Sequence, residues 1–311
     1  MKNTLKNNSK TGYWRGYWSR HWPLYAMLLL PVIFIFIFRY VPMVHLWRAF
    51  TPNNTIAPVT ELPFTGLANF REAFSLQPFR NSIRNTLMFS ALDLLIGFPA
   101  PIILALMFNE LKFKRFKKIA QSVSYIPNFI SWVIVGGLAT VLLSTNVGAV
   151  NAVIEGLGFN PISFLETEKN WIISNVLISV WRGMGWSSII YLAAITNINP
   201  EYYEAAEIDG ASRLRKMWHI TLPGIRPVIA TLFTLALGGI MGAELDRFVA
   251  LENSFVRGVS EVIPVFIWRW GLQSGQFALA TAVGLFQGLI GLVMLLSGNW
   301  AVKKLGGNGF W

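Results

Sequence analysis

Asn199-Pro200-Glu201-Tyr202-Tyr203-Glu204-Ala205-Ala206-Glu207-Ile208-Asp209-Gly210 opens the stretch that decides how this chain is read, and Ile220-Thr221-Leu222-Pro223 closes it. Glu204-Ala205-Ala206 is followed after three residues by Gly210, and after nine more by Ile220, one residue and Leu222-Pro223. The stretch lies between two long apolar segments and is the only strongly polar, two-signed region in the second half of the chain. Asn199 is a good helix N-cap and Pro200 suits the first helical position. Glu201 falls in the first turn, where negative charge favours the helix dipole. Gly210 supplies a stop with freedom to turn left-handed. A second short basic helix over 213–220, ending at Leu222-Pro223, completes a helix-turn-helix elbow. Ala205 and Ala206 keep one face of the first helix small, so it can seat deeply in a groove, and Glu204 beside them can pair with a basic group of a partner. The same pattern also describes an amphipathic interfacial loop with solvated charges.

The composition sets the surroundings of this elbow. The 311 residues are 54% hydrophobic and 13% charged, where a soluble domain carries about a quarter charged residues. The deficit predicts a surface that faces lipid. The formal charge of +11 is the sign a nucleic-acid binder would have, but basic cytoplasmic loops of a membrane protein give it equally, and the positive mean hydropathy favours that reading. There is no cysteine, which excludes disulfides and thiolate metal sites.

Six segments read as spans: 22–38, 86–108, 119–143, 171–196, 228–243 and 277–302, against a requirement of about 20 residues each. Phe38-Arg39-Tyr40 lacks the small residues of a signal-peptide cleavage site, so the first is read as a retained helix. Lys2, Lys6, Lys10, Arg15 and Arg20 precede the first span; Lys112, Lys114, Arg115, Lys117 and Lys118 follow the second; Arg213, Arg215, Lys216 and Arg226 follow the fourth; Lys303 and Lys304 follow the sixth. In a six-span topology these segments share one side, the cytoplasm, with both termini inside. Arg39, Arg48, Arg71 and Arg80 fall on the other side. Trp14, Trp18 and Trp22 are spaced to line one helix face at the interface. Pro42, Pro52, Pro58, Pro63 and Pro78 punctuate residues 41–84, predicting short helices and turns in a long external segment. Gly284 and Gly288 form a small-xxx-small pair suited to close helix contact.

The elbow spacing resembles, at every position, the loop signature of permease subunits of binding-protein-dependent ABC importers, the maltose-transporter-like family. Further stretches are similar to its branch for complex oligosaccharides: Phe98-Pro-Ala-Pro-Ile-Ile-Leu-Ala-Leu106, Ser124-Tyr-Ile-Pro127, Gly185-Trp186 through Tyr191-Leu-Ala-Ala194, and Ala282-Val-Gly-Leu-Phe286. The resemblance runs from about residue 22 to the C-terminus. It departs at Leu245-Asp246-Arg247, where the branch often has Phe-Asp-Gln-like residues, and at Pro264-Val-Phe-Ile-Trp268, a region that can face substrate or partner. The resemblance implies an all-α membrane protein with the type I ABC importer permease fold. Its division would be a basic cytoplasmic tail 1–21, a first helix and long external segment 22–85, a transmembrane core 86–302 with the coupling loop 199–227, and a cytoplasmic tail 303–311. It implies a coupling site made by Glu201, Glu204, Ala205, Ala206, Asp209, Gly210, Ile220, Leu222 and Pro223, seated in a cytoplasmic ATPase. It also implies a second permease, a paralogue, two ATPase subunits that hold ATP and Mg, an external solute-binding protein and an oligosaccharide substrate, in the plasma membrane and without nucleic acid.

Ionisable residues inside spans usually face a cavity or a partner. Asp93 in the second span, Arg182 in the fourth and Gln287 in the sixth are the polar candidates for a substrate path, with Trp181, Trp186 and Tyr191 as aromatic faces for sugar rings. Against this, Asp93 and Arg182 can pair structurally, Arg182 can hold backbone carbonyls between helices, and the tryptophans can be anchors or core. The fifth span is short and carries Gly238-Gly239 and Gly242 before Glu244 and Asp246; a glycine-interrupted span can mark a binding site, or the helix simply ends there. No Gly-x4-Gly-Lys-Ser/Thr loop is present, and His21, His45 and His219 show no metal spacing, so no catalytic, cofactor or metal residues are expected in this chain. Two other classes fit a six-span chain with an elbow: a secondary transporter or channel, which predicts repeats or several ion-coupling charges at mid-membrane, and a non-transporting scaffold whose elbow recruits a cytosolic protein.

Overall fold

The computed structural model describes residues 10–53, 57–58 and 61–304, and among them every regular element is helical. Lys2, Lys6 and the tail beyond Lys304 lie outside the described residues. The first helix, α1 (Lys10–Ile35), continues through a π turn (Phe36–Tyr40) and a 3-10 stretch (Val41–Phe50). Together they make a continuous apolar helix, Arg20–Phe50, with no buried residue in its most apolar part. It joins the bundle at its far end, where the 41–50 stretch packs on the last helix and the Asn69 amide donates to the Ala49 and Thr51 carbonyls at 2.9 and 2.8 Å.

The expected external segment is shorter than residues 41–84. After α2 (Ala68–Ser75) the chain turns at the extended Leu76, and α3 (Gln77–Leu92) starts with Pro78 in its first turn, where its missing N–H costs nothing. The second span is therefore Gln77–Glu110, from α3 through a π turn (Asp93–Gly97) into α4 (Pro99–Glu110), and begins nine residues before the predicted position 86.

The third segment is corrected most. Read as one span over 119–143, it is two helices bent by 104°: α5 (Lys114–Tyr125), which ends in a 3-10 turn at Phe129, and α6 (Trp132–Leu143). Pro127 removes an N–H and limits helix continuation. Ser131, in extended conformation, caps α6 by accepting from the Ile134 N–H at 3.5 Å. Five helices are individually long and apolar enough to cross a membrane, and the bent pair makes a sixth if it counts as one span. After α7 (Ala149–Gly156) comes the long α8 (Glu168–Thr196), then α9 (Pro200–Ile208) and α10 (Arg213–Lys216).

Leu222-Pro223 was expected to end the second elbow helix, yet the chain runs on without a break. A π turn (Met217–Thr221) leads into α11 (Leu222–Gly238), with Pro223 in the first turn of the α segment. The wider turn accommodates the proline's missing N–H. The fifth span is thus Arg213–Gly238, and it ends at the glycines. Short helices α12 (Leu245–Leu251), α13 (Arg257–Ser260) and α14 (Ile263–Ile267) precede the last span, α15 (Phe277–Lys304).

Three apolar clusters hold the bundle. One gathers Phe89, Trp132, Trp171 and Phe248 from α3, α6, α8 and α12, with the Trp171 indole N–H donating to the Leu251 carbonyl at 2.8 Å. A second joins α2, α3, α14 and α15 through Phe79, Phe266 and Leu279. The third packs α4, α8 and α11 around Ile102, Tyr191 and Ile225. Gly185 of α8 lies against α5 so tightly that a Cβ would stand 1.9 Å from the Ser124 carbonyl oxygen. Two of the stretches that carry the family resemblance meet at this crossing.

Candidate functional site: an exposed elbow and a charged cleft

The elbow follows from its residues. The Asn199 side chain accepts from the Glu201 N–H at 3.1 Å. At the other end of α9 the Ala211 N–H bonds the Ala206 carbonyl at 2.8 Å and the Gly210 N–H bonds the Glu207 carbonyl at 3.1 Å. This is a Schellman closure that requires the positive φ of +71° at Gly210. An ion pair from Lys216 to Glu207 ties α9 to α10, and its ammonium holds the Glu207 carboxyl below the usual carboxylate range. The Tyr203 and Thr221 hydroxyls, 2.9 Å apart, fix the elbow to the base of the fifth span.

The face left open is mixed. Glu201, Glu204, Ala205, Asp209 and Gly210 are exposed, and Ala206 is half-buried. Ile208 is 87% exposed and Leu214 65%, which no solvated loop needs. Ile220 and Leu222 are half-buried and Pro223 is exposed; all three lie on the continuous helix rather than at its end.

The second site is a cleft of about 460 Å³ between α3, α4, α8 and α11, closed at one end by the turn after Gly238. Of the predicted path residues, Asp93 and Tyr191 stand on its wall. Gln287 lines a neighbouring groove of about 580 Å³ between α11 and α15, together with Gly284 and Gly288. A Cβ at either glycine would meet nothing within 4 Å, so this pair makes no close helix contact inside the chain. Trp181, Arg182 and Trp186 line neither space. Trp181 and Trp186 are 45% and 48% exposed, with Trp186 edge-on to Phe129.

Asp93 and Arg182 do not pair with each other. Asp93 Oδ2 accepts from Arg247 Nη1 at 2.8 Å. The Arg247 Nε donates to Asn175 Oδ1 at 2.7 Å, and its guanidinium lies near the Phe89 and Phe248 rings. Arg182 occupies the break in the third span: its Nε donates to the Ile130 carbonyl at 3.1 Å, and its guanidinium sits 4.6 Å from the Trp132 ring centroid. The reading of Arg182 as a holder of backbone carbonyls is the one the geometry matches. Glu244, on the cleft wall, reaches Arg182 at 3.8 Å.

Sequence reasoning missed Arg247, Asn175 and the pairing role of Glu244. Arg247 carried one signal, its place in the triplet that departs from the family pattern. Asn175 carried none, since a lone polar residue near the start of a span has no partner visible in sequence.

A six-segment helical bundle with a two-armed elbow and a charged internal cleft defines a transport permease. Residues 79–306 match the Binding-protein-dependent transport system inner membrane component family, and the chain belongs to that family: it is a multi-pass inner-membrane permease subunit of an ABC importer. Polygalacturonan/rhamnogalacturonan transport system permease protein YteP of Bacillus subtilis is 41% identical, over 93% of this chain and 90% of that protein. Protein LplB of the same organism is 35% identical, over 90% and 88%. Among solved structures, a chain of a bacterial ABC transporter involved in the import of the acidic polysaccharide alginate aligns at 38% identity and a TM-score of 0.85, covering 94% of this chain and 98% of that one. The alginate transporter in complex with alginate pentasaccharide-bound periplasmic protein gives 37% identity and 0.86.

Proposed function

We propose that this permease carries oligosaccharides handed over by an external solute-binding protein, driven by two cytosolic ATPase subunits that bind ATP and Mg. The observation that carries the reading is the elbow: a rigid, capped helix with an acidic, small-residue face and an 87% exposed Ile208, joined by a continuous helix to the fifth span. A helix seated in an ATPase cleft can move that span as a rigid body. Closure of the ATPase pair on ATP carries 201–209 inward and turns the bundle outward-facing; sugar enters the cleft, and hydrolysis resets the system. Both termini and the elbow then lie in the cytoplasm, in keeping with their lysines and arginines. The second permease is a paralogue, as in the oligosaccharide branch that the sequence resembles. The relatives named for polygalacturonan, rhamnogalacturonan and alginate support a carbohydrate substrate.

The test is co-purification of the cytosolic ATPase with wild type and with Glu204→Lys at equal membrane amounts. Retention by wild type and loss by the variant is the expected result. No ATPase on either chain overturns the reading and returns the scaffold or secondary transporter. Sugar-stimulated ATP hydrolysis by the reconstituted complex separates the importer from both.

A further inference from the structure

Residues 112–118 read Lys-Phe-Lys-Arg-Phe-Lys-Lys, five cations in seven positions. Among the described residues none of the five meets a carboxylate, whereas Lys216 of the elbow and Arg182, Arg247 and Arg269 of the bundle all do. Lys114, Arg115 and Lys117 moreover stand at the start of α5, whose first turn holds no acid, although the helix dipole disfavours cations there. A local rule is broken and nothing in the chain offsets it, which is where function is to be sought. The helix has three sides. Ala120, Gln121 and Ser124 are half-buried on the bundle side, where the Ser124 backbone meets Gly185 of α8. Phe113, Phe116, Ile119 and Val123, three or four residues apart and so on one side of the helix, are between 57% and 79% exposed. Lys114, Arg115 and Lys118 occupy the third side and are exposed. The second span stops at Glu110 and α5 re-enters at Lys114, so the cations sit at the membrane surface, while the apolar side runs inward to the depth of the Gly185 crossing.

We infer that the start of α5 is a binding surface for anionic phospholipid of the cytoplasmic leaflet: its cations take the headgroup phosphates, and Phe113, Phe116 and Ile119 lie among the acyl chains. A basic helix with an exposed apolar side is the surface such a leaflet attracts. A zwitterionic headgroup returns a cation for every phosphate and offers these residues no net attraction. The apolar side continues to bilayer depth, beyond the reach of a cytosolic protein. Since α5 packs on α8, and α8 leads directly to the elbow, a lipid-anchored α5 gives the moving elbow a fixed support. The inference rests on the importer reading only for the cytoplasmic placement of this loop and is independent of the sugar.

The chain has no cysteine, so Phe116→Cys places a single fluorescent label on the apolar side of α5. The labelled permease is assembled into the complete transporter and reconstituted in vesicles of phosphatidylcholine and phosphatidylglycerol, with bromine on the acyl chains of one lipid or the other. Brominated phosphatidylglycerol should quench the label severalfold more than brominated phosphatidylcholine at equal mole fraction. Lys114→Gln, Arg115→Gln and Lys118→Gln together should remove the preference, at about fivefold in lipid affinity per cation. Lys303→Gln with Lys304→Gln, at the end of the sixth span, should leave it intact. Equal quenching by the two lipids, no quenching by either because a protein covers the face, a preference that survives the triple variant, or one lost equally in the 303/304 variant would overturn the inference and leave the importer reading standing. Reaction of position 116 with an impermeant thiol reagent added outside intact cells would instead overturn the cytoplasmic placement, and the importer's orientation with it.

Discussion

The elbow and the cleft wall handle charge in opposite ways. In the elbow, Glu201, Glu204, Glu207 and Asp209 come from one short run and are exposed to water. In the wall, Asp93 comes from one segment and Arg247, with Glu244 just before it, from another 154 positions on; Arg247 is buried against Asp93, and Glu244 reaches outside the cleft to the half-buried Arg182. A surface to be gripped by another protein keeps its charges hydrated until the partner arrives. A surface inside a membrane bundle must offset desolvation of each charge with hydrogen bonds and ion pairs already in place. The elbow is therefore held mainly by caps and backbone, with the Lys216–Glu207 and Tyr203–Thr221 pairs pinning it to the fifth span, and the wall by side chains drawn from distant segments.

The sharpest test exchanges one glycine inside the bundle and one in the elbow. Gly185→Ala drives a Cβ into the Ser124 carbonyl and should cost about 3 kcal/mol, the upper range for overpacking, visible as lost thermal stability of the purified protein. An unchanged melting temperature would break the idea that the α5–α8 crossing is rigid. Next, Arg182→Leu leaves the Ile130 carbonyl without its side-chain donor and should cost about 2 kcal/mol, while Glu244→Gln, at 3.8 Å and half-exposed, should stay within about 1 kcal/mol. Equal losses would mean that the ion pair, not the carbonyl clamp, holds the bend. Gly210→Ala meets no atom within 4 Å but must adopt positive φ, at about 1 kcal/mol. Faster hydrogen exchange confined to residues 206–211 is expected, with the bundle unaffected.

The smallest effect concerns pH. Lys216 lowers the Glu207 pKa from its usual 4.5, so the pair stabilises the elbow above that value and its contribution fades as pH falls through the lowered one. Lys216→Gln should thus differ from wild type in elbow protection at neutral pH and converge with it in strong acid. Persistent difference in acid would assign the effect to packing of the lysine stem.

Much of this was legible in the residues. Asn199, Pro200 and Gly210 announced α9 because caps and left-handed stops are local chemistry. The sixfold apolar pattern was also local, since span length is set by the bilayer. The 104° bend escaped because a 119–143 run of apolar residues looks unbroken: Pro127 signalled a boundary, but the donor that stabilises the freed carbonyl, Arg182, lies 52 residues on. The continuous passage through Leu222-Pro223 escaped because a π turn leaves no composition signature. The wall escaped for the same reason as the bend: Asp93 and Arg247 are 154 positions apart, and only folding pairs them.

The apolar helix Arg20–Phe50 buries no residue of its most apolar stretch in its own chain, and the family match begins only at residue 79. Its side chains between 20 and 40 therefore meet something other than this chain's own bundle. Such a segment can enter the bilayer ahead of the bundle and wait there, docked only at one end through Ala49 and Thr51. What covers that stretch is then lipid or the second permease, so its apolar side chains carry the chain's largest contact with its surroundings rather than with itself.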